Sequence, residues 1–146
     1  MAVQRTIKGI DNDFSCVLKV SRGGQSLLIT GDGERRVELE LMEQALLQSG
    51  PDISATVLIA GHHGSRTSSL AEFVVQVQPQ ISVFTVGYRN RFGHPHPQVV
   101  ARFREQDARI LRSDSSGLIK LTFNQAGVMA SEYRPSYRRY WQHNAP

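Results

Sequence analysis

A chain of 146 residues with 40% hydrophobic and 21% charged side chains is long enough for one packed domain and too apolar to be disordered. Its single cysteine excludes an intramolecular disulfide, no apolar run approaches the ~20 residues of a membrane helix, and residues 1–8 lack a signal peptide's apolar core. The formal net charge of +4 is compatible with a polyanionic partner without demanding one.

In chain order, residues 15–20 and 26–30 read as strands, with Arg22-Gly23-Gly24-Gln25 as the hairpin turn between them. Cys16, inside the first apolar stretch, reads as a small buried residue rather than a nucleophile. Residues 34–48 read as a helix, because Val37, Leu41 and Ala45 recur every four positions, joined by Met42 and Leu46, until Gly50-Pro51 ends the pattern. The continuous apolar run 55–60 predicts a strand covered on both faces.

Ser69 and Glu72 have capping-box spacing and predict a helix to about Val77. Residues 81–86 predict another strand. Pro97 suits a first helical position, and that helix runs to about Asp107. Strands follow at 109–113, 117–123 and 128–133, and the alternation predicts one α/β domain over residues 1–133. Residues 134–146 differ in character: a basic, aromatic tail with Arg134, Arg138, Arg139, Tyr137, Tyr140 and Trp141 and no acid.

Polar clusters follow four of the predicted strands. Asp32 follows 26–30, His62 and His63 follow 55–60, Asn90, His94 and His96 follow 81–86, and Asp114 follows 109–113. If these strands are parallel, the clusters meet at the carboxyl edge of the sheet, where α/β domains bind ligands. Each cluster also has a plainer reading. Asp32 suits the N-cap of the next helix, although glycine on both sides leaves room for a metal at its carboxylate.

Adjacent histidines on an extended exit point opposite ways, so one of His62 and His63 would ligate while the other meets substrate or a neighbouring ligand. Gly64 and Ser65 would leave backbone N–H groups open to an anion. His94-Pro95-His96-Pro97 is stiff enough to hold an imidazole as acid, base or phosphate contact, and His96 also suits a helix cap. Asp114 reads as a turn residue. The tail could stack bases and neutralise phosphates, or simply pack.

The order of these segments is specific: Asp11-Asn12-Asp13-Phe14-Ser15-Cys16-Val17-Leu18, Leu28-Ile29-Thr30-Gly31-Asp32, Gly61-His62-His63-Gly64-Ser65-Arg66-Thr67-Ser68-Ser69, Gly87 to Pro97, and Leu111-Arg112-Ser113-Asp114 with Gly117. Over about residues 10–123 it resembles the C-terminal domain of the ComEC family of bacterial competence proteins, which has the metallo-β-lactamase fold. The resemblance implies the C-terminal half of an αββα sandwich, with a mixed sheet and helices on one face. It implies two divalent ions, zinc or manganese, with Asp32 and the His62-His63 pair as ligands and His94 and His96 in a loop near the site. Ser65, Arg66, Asn90 and Asp114 would contact substrate.

The implied activity is hydrolysis of DNA on the outer side of the inner membrane, with DNA, the domain's N-terminal half and the membrane channel as partners. The fold's His-x-Asp-x-Asp-His cluster is absent from these 146 residues. The resemblance therefore implies a fragment inactive alone, with apolar sheet surface to cover by dimerisation or by the tail. Two alternatives stand beside it, a non-catalytic DNA-binding module and another hydrolase of the same fold.

Overall fold

In a computed structural model the described residues are 11–137. A five-stranded mixed sheet carries the architecture, ordered β1 (Leu18–Arg22), β2 (Gln25–Ile29), β3 (Val57–Ile59), β4 (Ile81–Phe84), β5 (Arg109–Arg112). The β1–β2 hairpin is antiparallel, with Leu18 opposite Ile29. From β2 to β5 all pairings are parallel. Helices α1 (Arg35–Ala45), α2 (Ala71–Val77) and α3 (Pro97–Arg104) form the three crossovers between consecutive strands. Stepping one way with right-handed crossovers puts all three helices on one face.

Strand alternation sorts the core into two layers. Leu28, Leu58 and Phe84 point toward the helices and meet Phe73, Val74, Val99 and Phe103. Phe84 and Phe103 pack edge to face at 5.3 Å. On the other face Val57, Ile81, Val83 and Leu111 meet Ile119, Leu121, Val128 and Ala130. These last come from β6 (Ile119–Asn124) and β7 (Gly127–Glu132), a separate antiparallel hairpin. The expected need to cover this face is met over β3–β5 by the chain's own hairpin. At β1, Leu18 and Val20 remain 53% and 51% exposed, with no described residue burying them.

Several local expectations change. The capping box at Ser69 and Glu72 does not form. Ser69 is left-handed (φ 53°), Leu70 is the N-cap, and the N–H groups of Ser69 and Leu70 donate instead to buried Glu38 at 2.5 and 2.8 Å. Cys16 is exposed, because β1 starts two residues after it and leaves it outside the sheet. α1 ends at Ala45 rather than 48, leaving Leu46 and Leu47 exposed beyond the packed stripe. Asp114 lies in a single helical turn, α4 (Ser113–Ser116), and a second turn, α5 (Tyr133–Ser136), stacks Tyr133 on Tyr137 at 4.9 Å. Arg138, Arg139, Tyr140 and Trp141, assigned to the tail, lie outside the described residues. No helix among the described residues is long and apolar enough to cross a membrane.

Candidate functional site

Because β2, β3, β4 and β5 run parallel, the segments leaving their carboxyl ends share one rim. Those segments carry Asp32, the His62-His63 pair, the Asn90–His96 loop and Asp114. Backbone bonds stitch the first three together. His62 N donates to Gly31 O at 3.0 Å, and His96 N donates to Gly64 O at 2.9 Å. Gly64 sits at that second junction with φ 81°, and a Cβ there would stand 2.6 Å from Phe84 and 2.7 Å from Pro95. Only glycine lets the two histidine loops approach so closely.

The adjacent histidines do not diverge as they would in a strand. Gly61–Gly64 is a tight turn in which His62 (φ 45°) and His63 (φ 56°) are both left-handed. Left-handed non-glycine residues are uncommon, and two in succession cluster where surrounding structure over-determines them. The result turns both imidazoles toward the segment after β2. His63 Nε2 lies 3.4 Å from Asp32 Oδ1, and His62 Nδ1 lies 3.0 Å from Glu34 Oε1. Asp32 is therefore not a helix cap. Glu34 holds the N-cap position and makes no side-chain cap bond.

Polar groups dictate the state of His63. Its Nδ1 is 2.7 Å from the carbonyl oxygen of Thr85, which only accepts, so Nδ1 carries the hydrogen. In the neutral ring Nε2 then presents a lone pair to the Asp32 carboxylate. Both side chains are about half exposed, and a metal ion between these two atoms, 3.4 Å apart, would meet a lone pair on each side. Two donors each about 2.1 Å from one tetrahedral ion stand about 3.4 Å apart. Asp32 and His63 thus fit two positions of a metal's coordination sphere. They do not complete one: no group of three His, Cys, Asp or Glu suited to an ion occurs among the described residues.

His62 is less well served. Its Nδ1 is buried, and the Glu34 contact lacks hydrogen-bond alignment despite its length. Glu34 is held below the usual carboxylate range, chiefly by the amide of Asn12, which donates at 2.8 Å, and also by Thr67 and His62, while burial opposes. Glu34 is the site residue that the sequence reading missed. Asp32-Gly33-Glu34 puts a second carboxylate two positions from the first, a signal that was there to be read. His94 completes the imidazole group, 6.1 Å from His62 ring to ring. Burial lowers its pKa first, with His62, His63 and His96 adding to the effect, so it stays neutral near pH 7.

The other expected residues separate by role. His96 caps α3, its Nδ1 accepting from Gln98 N at 3.3 Å. Asn90 closes its own loop, donating to His94 O at 2.7 Å and accepting from His94 N at 2.9 Å. Ser65 is buried, its hydroxyl paired with Thr67 at 3.0 Å, whereas Arg66 is exposed at the rim. Asp114 is spent on Arg112, with contacts of 3.0 and 2.6 Å, and lines a groove with Arg89, Asn90 and His94.

No protein-family model matches the chain. It is 39% identical over 132 residues to Competence protein ComA of Neisseria gonorrhoeae, covering 90% of this chain and 18% of that protein. It is 37% identical over 124 residues to ComE operon protein 3 of Bacillus subtilis (strain 168), covering 85% and 15%. Recombination protein 2 of Haemophilus influenzae matches at 30% identity over 131 residues, covering 90% and 16%. The chain spans less than a fifth of the length of the curated relatives it matches.

Proposed function

We propose that this chain is the C-terminal half of a metallo-β-lactamase-like, metal-dependent phosphodiester hydrolase acting on DNA during competence. The relative named Competence protein ComA supports the biological setting. The mixed sheet with its helices on one face is what one half of an αββα sandwich requires. The observation that carries the chemistry is the Asp32–His63 pair, two acceptors facing one another at a rim lined by further imidazoles.

In this reading Asp32 and His63 hold part of one ion's ligand set, and His62 lies beside it on Glu34. Remaining ligands, and a second ion of zinc or manganese, belong to the N-terminal half. A bound divalent ion supplies Lewis-acid polarisation of the phosphodiester and acidification of water. The chain's own residues do the rest. Thr85 O fixes the His63 tautomer. His94, neutral near pH 7, is placed to accept a proton from the attacking water or to donate an N–H hydrogen bond to the leaving oxygen. Arg66, exposed within the Gly61–Ser69 loop, neutralises phosphate, and His96 steadies the start of α3.

In the parent protein the domain would sit outside the inner membrane beside the membrane channel. Calorimetric titration of the chain with Zn²⁺ or Mn²⁺ tests the assignment. Weak uptake should be lost in both Asp32→Ala and His63→Ala, and should strengthen when the N-terminal half is added back. Uptake that ignores both substitutions defeats the proposal. A non-catalytic DNA-binding role is favoured by one observation, the short donor set, and predicts strand binding that survives Asp32→Ala and weakens steeply with salt.

A further inference from the structure

The loop between β4 and α3 carries groups that metal binding does not require. Tyr88-Arg89-Asn90-Arg91-Phe92 projects from the rim with Phe92 68% and Tyr88 48% exposed. Single exposed aromatics need no explanation. Here two are paired with cations: the Arg91 guanidinium lies 4.9 Å from the Phe92 ring centre, and that of Arg89 lies 5.2 Å from that of Tyr88. Phe92 also lies nearly parallel to His94, at 18° and 5.9 Å. Arg66, Arg89 and Arg91 have no carboxylate partner among the described residues.

Two hollows flank the Asn90–His94 bridge. One, of about 220 Å³, is walled by His63, Val86, Gly87, Phe92 and His94. It is mainly apolar and lies below the roughly 300 Å³ at which pockets for drug-sized ligands begin, so it suits one ring system. The other, of about 390 Å³, is more polar and carries Arg89 and Arg112. With Arg112 already bound to Asp114, Arg89 is the uncompensated charge there. A small apolar slot beside a cationic groove, with Asn90 and His94 common to both, matches the alternation of base and phosphate along an unpaired strand.

We infer that this loop binds one unpaired nucleotide of single-stranded DNA, its base stacked on Phe92 in the slot beside His63 and its phosphate on Arg89. The inference rests on the DNA hydrolase reading for the identity of the substrate, and it adds a preference for unpaired over duplex strands. Duplex DNA offers no free base face to the slot.

The probe is fluorescence anisotropy of a labelled dodecathymidylate with the 146-residue chain in EDTA, so that metal plays no part. Phe92→Ala should weaken binding about tenfold or more, as loss of one base–aromatic stack does, and Phe92→Trp should restore it. An abasic oligomer of equal length should bind the unaltered chain as weakly as the thymidylate binds Phe92→Ala. Arg89→Ala should lower the slope of log affinity against log salt by about 0.7, one contact on a single strand. Wild-type chain that ignores the thymidylate, an abasic strand bound equally well, or an unaffected Phe92→Ala variant overturns the inference. Metal uptake is read separately by calorimetry. Base discrimination without metal uptake sustains the subsite and defeats the hydrolase reading alone; Asp32-dependent metal uptake without base discrimination defeats the subsite alone.

Discussion

The rim has two unlike halves. Gly61–Ser69 is locked from every side: Gly64 is wedged between Phe84 and Pro95, and Ser68 donates to Gly61 O at 2.7 Å. Glu38 receives the Ser69 and Leu70 N–H groups, and Arg102 donates to Ser68 O and Ser69 O at 3.1 and 2.7 Å. The Tyr88–Phe92 loop, a few ångströms away, is closed mainly by Asn90 and exposes its large side chains. Strained left-handed histidines persist only where packing over-determines them, and the proposed roles differ in the same sense: ligands to an ion would need to be held still, whereas a surface that received a flexible strand would gain nothing from such rigidity.

Substitutions in the locked half should cost most. Gly64→Ala meets ring and proline carbons at less than 3 Å and a left-handed backbone, and should destabilise by about 3 kcal/mol or more, read as a lowered denaturation midpoint. Should it unfold like the wild type, the junction of the histidine loops is not rigid. Glu38→Ala removes both acceptors from two buried N–H groups and should cost about 2–4 kcal/mol.

Glu38 also sharpens the comparison through pH. Burial, first among its causes, raises its pKa from 4.5 to about 7, against the two backbone N–H groups and Arg102. The folded value exceeds the unfolded one, so this group's contribution is fully present below about pH 4.5 and is lost as pH rises through 7. The integrated effect is at most about 3 kcal/mol. Melting temperatures from pH 4.5 to 8 should fall more steeply in the wild type than in Glu38→Gln. Parallel profiles would show that Glu38 does not titrate in that window.

The open half should answer weakly. Asn90→Ala breaks a reciprocal pair of bonds at the surface and should cost about 1 kcal/mol, with faster amide exchange confined to residues 88–94. Phe92→Ala should change stability by less than about 0.5 kcal/mol, because the ring is mostly exposed. A large loss there would mean that the loop is packed rather than presented.

Much of the scaffold is legible in local pattern. Apolar runs at 55–60 and 81–86 predict buried strands, and the proline at 97 opens a helix where it should. Strand ends shift by up to three residues, the most at the start of β1, because hydrogen-bonded pairing, not hydrophobicity, sets them. Glu38 escapes a pattern reading altogether. It occupies a helical position like any solvated glutamate, and only the packing of α1 against α2 buries it. The capping box at Ser69 fails for the same reason, since Glu38 takes the N–H groups that a local cap would have shared.

From residue order alone came the alternation of strands and helices and the placing of Asp32, His62, His63 and His94 just beyond strand ends, because periodicity and turn chemistry are local. Direction was not local. The parallel run from β2 to β5 brings those ends to one rim, and the left-handed turn at His62 and His63 swings both rings toward Asp32 and Glu34. Such φ angles depend on what packs around the turn, and contacts between residues tens of positions apart exist only once the chain has folded.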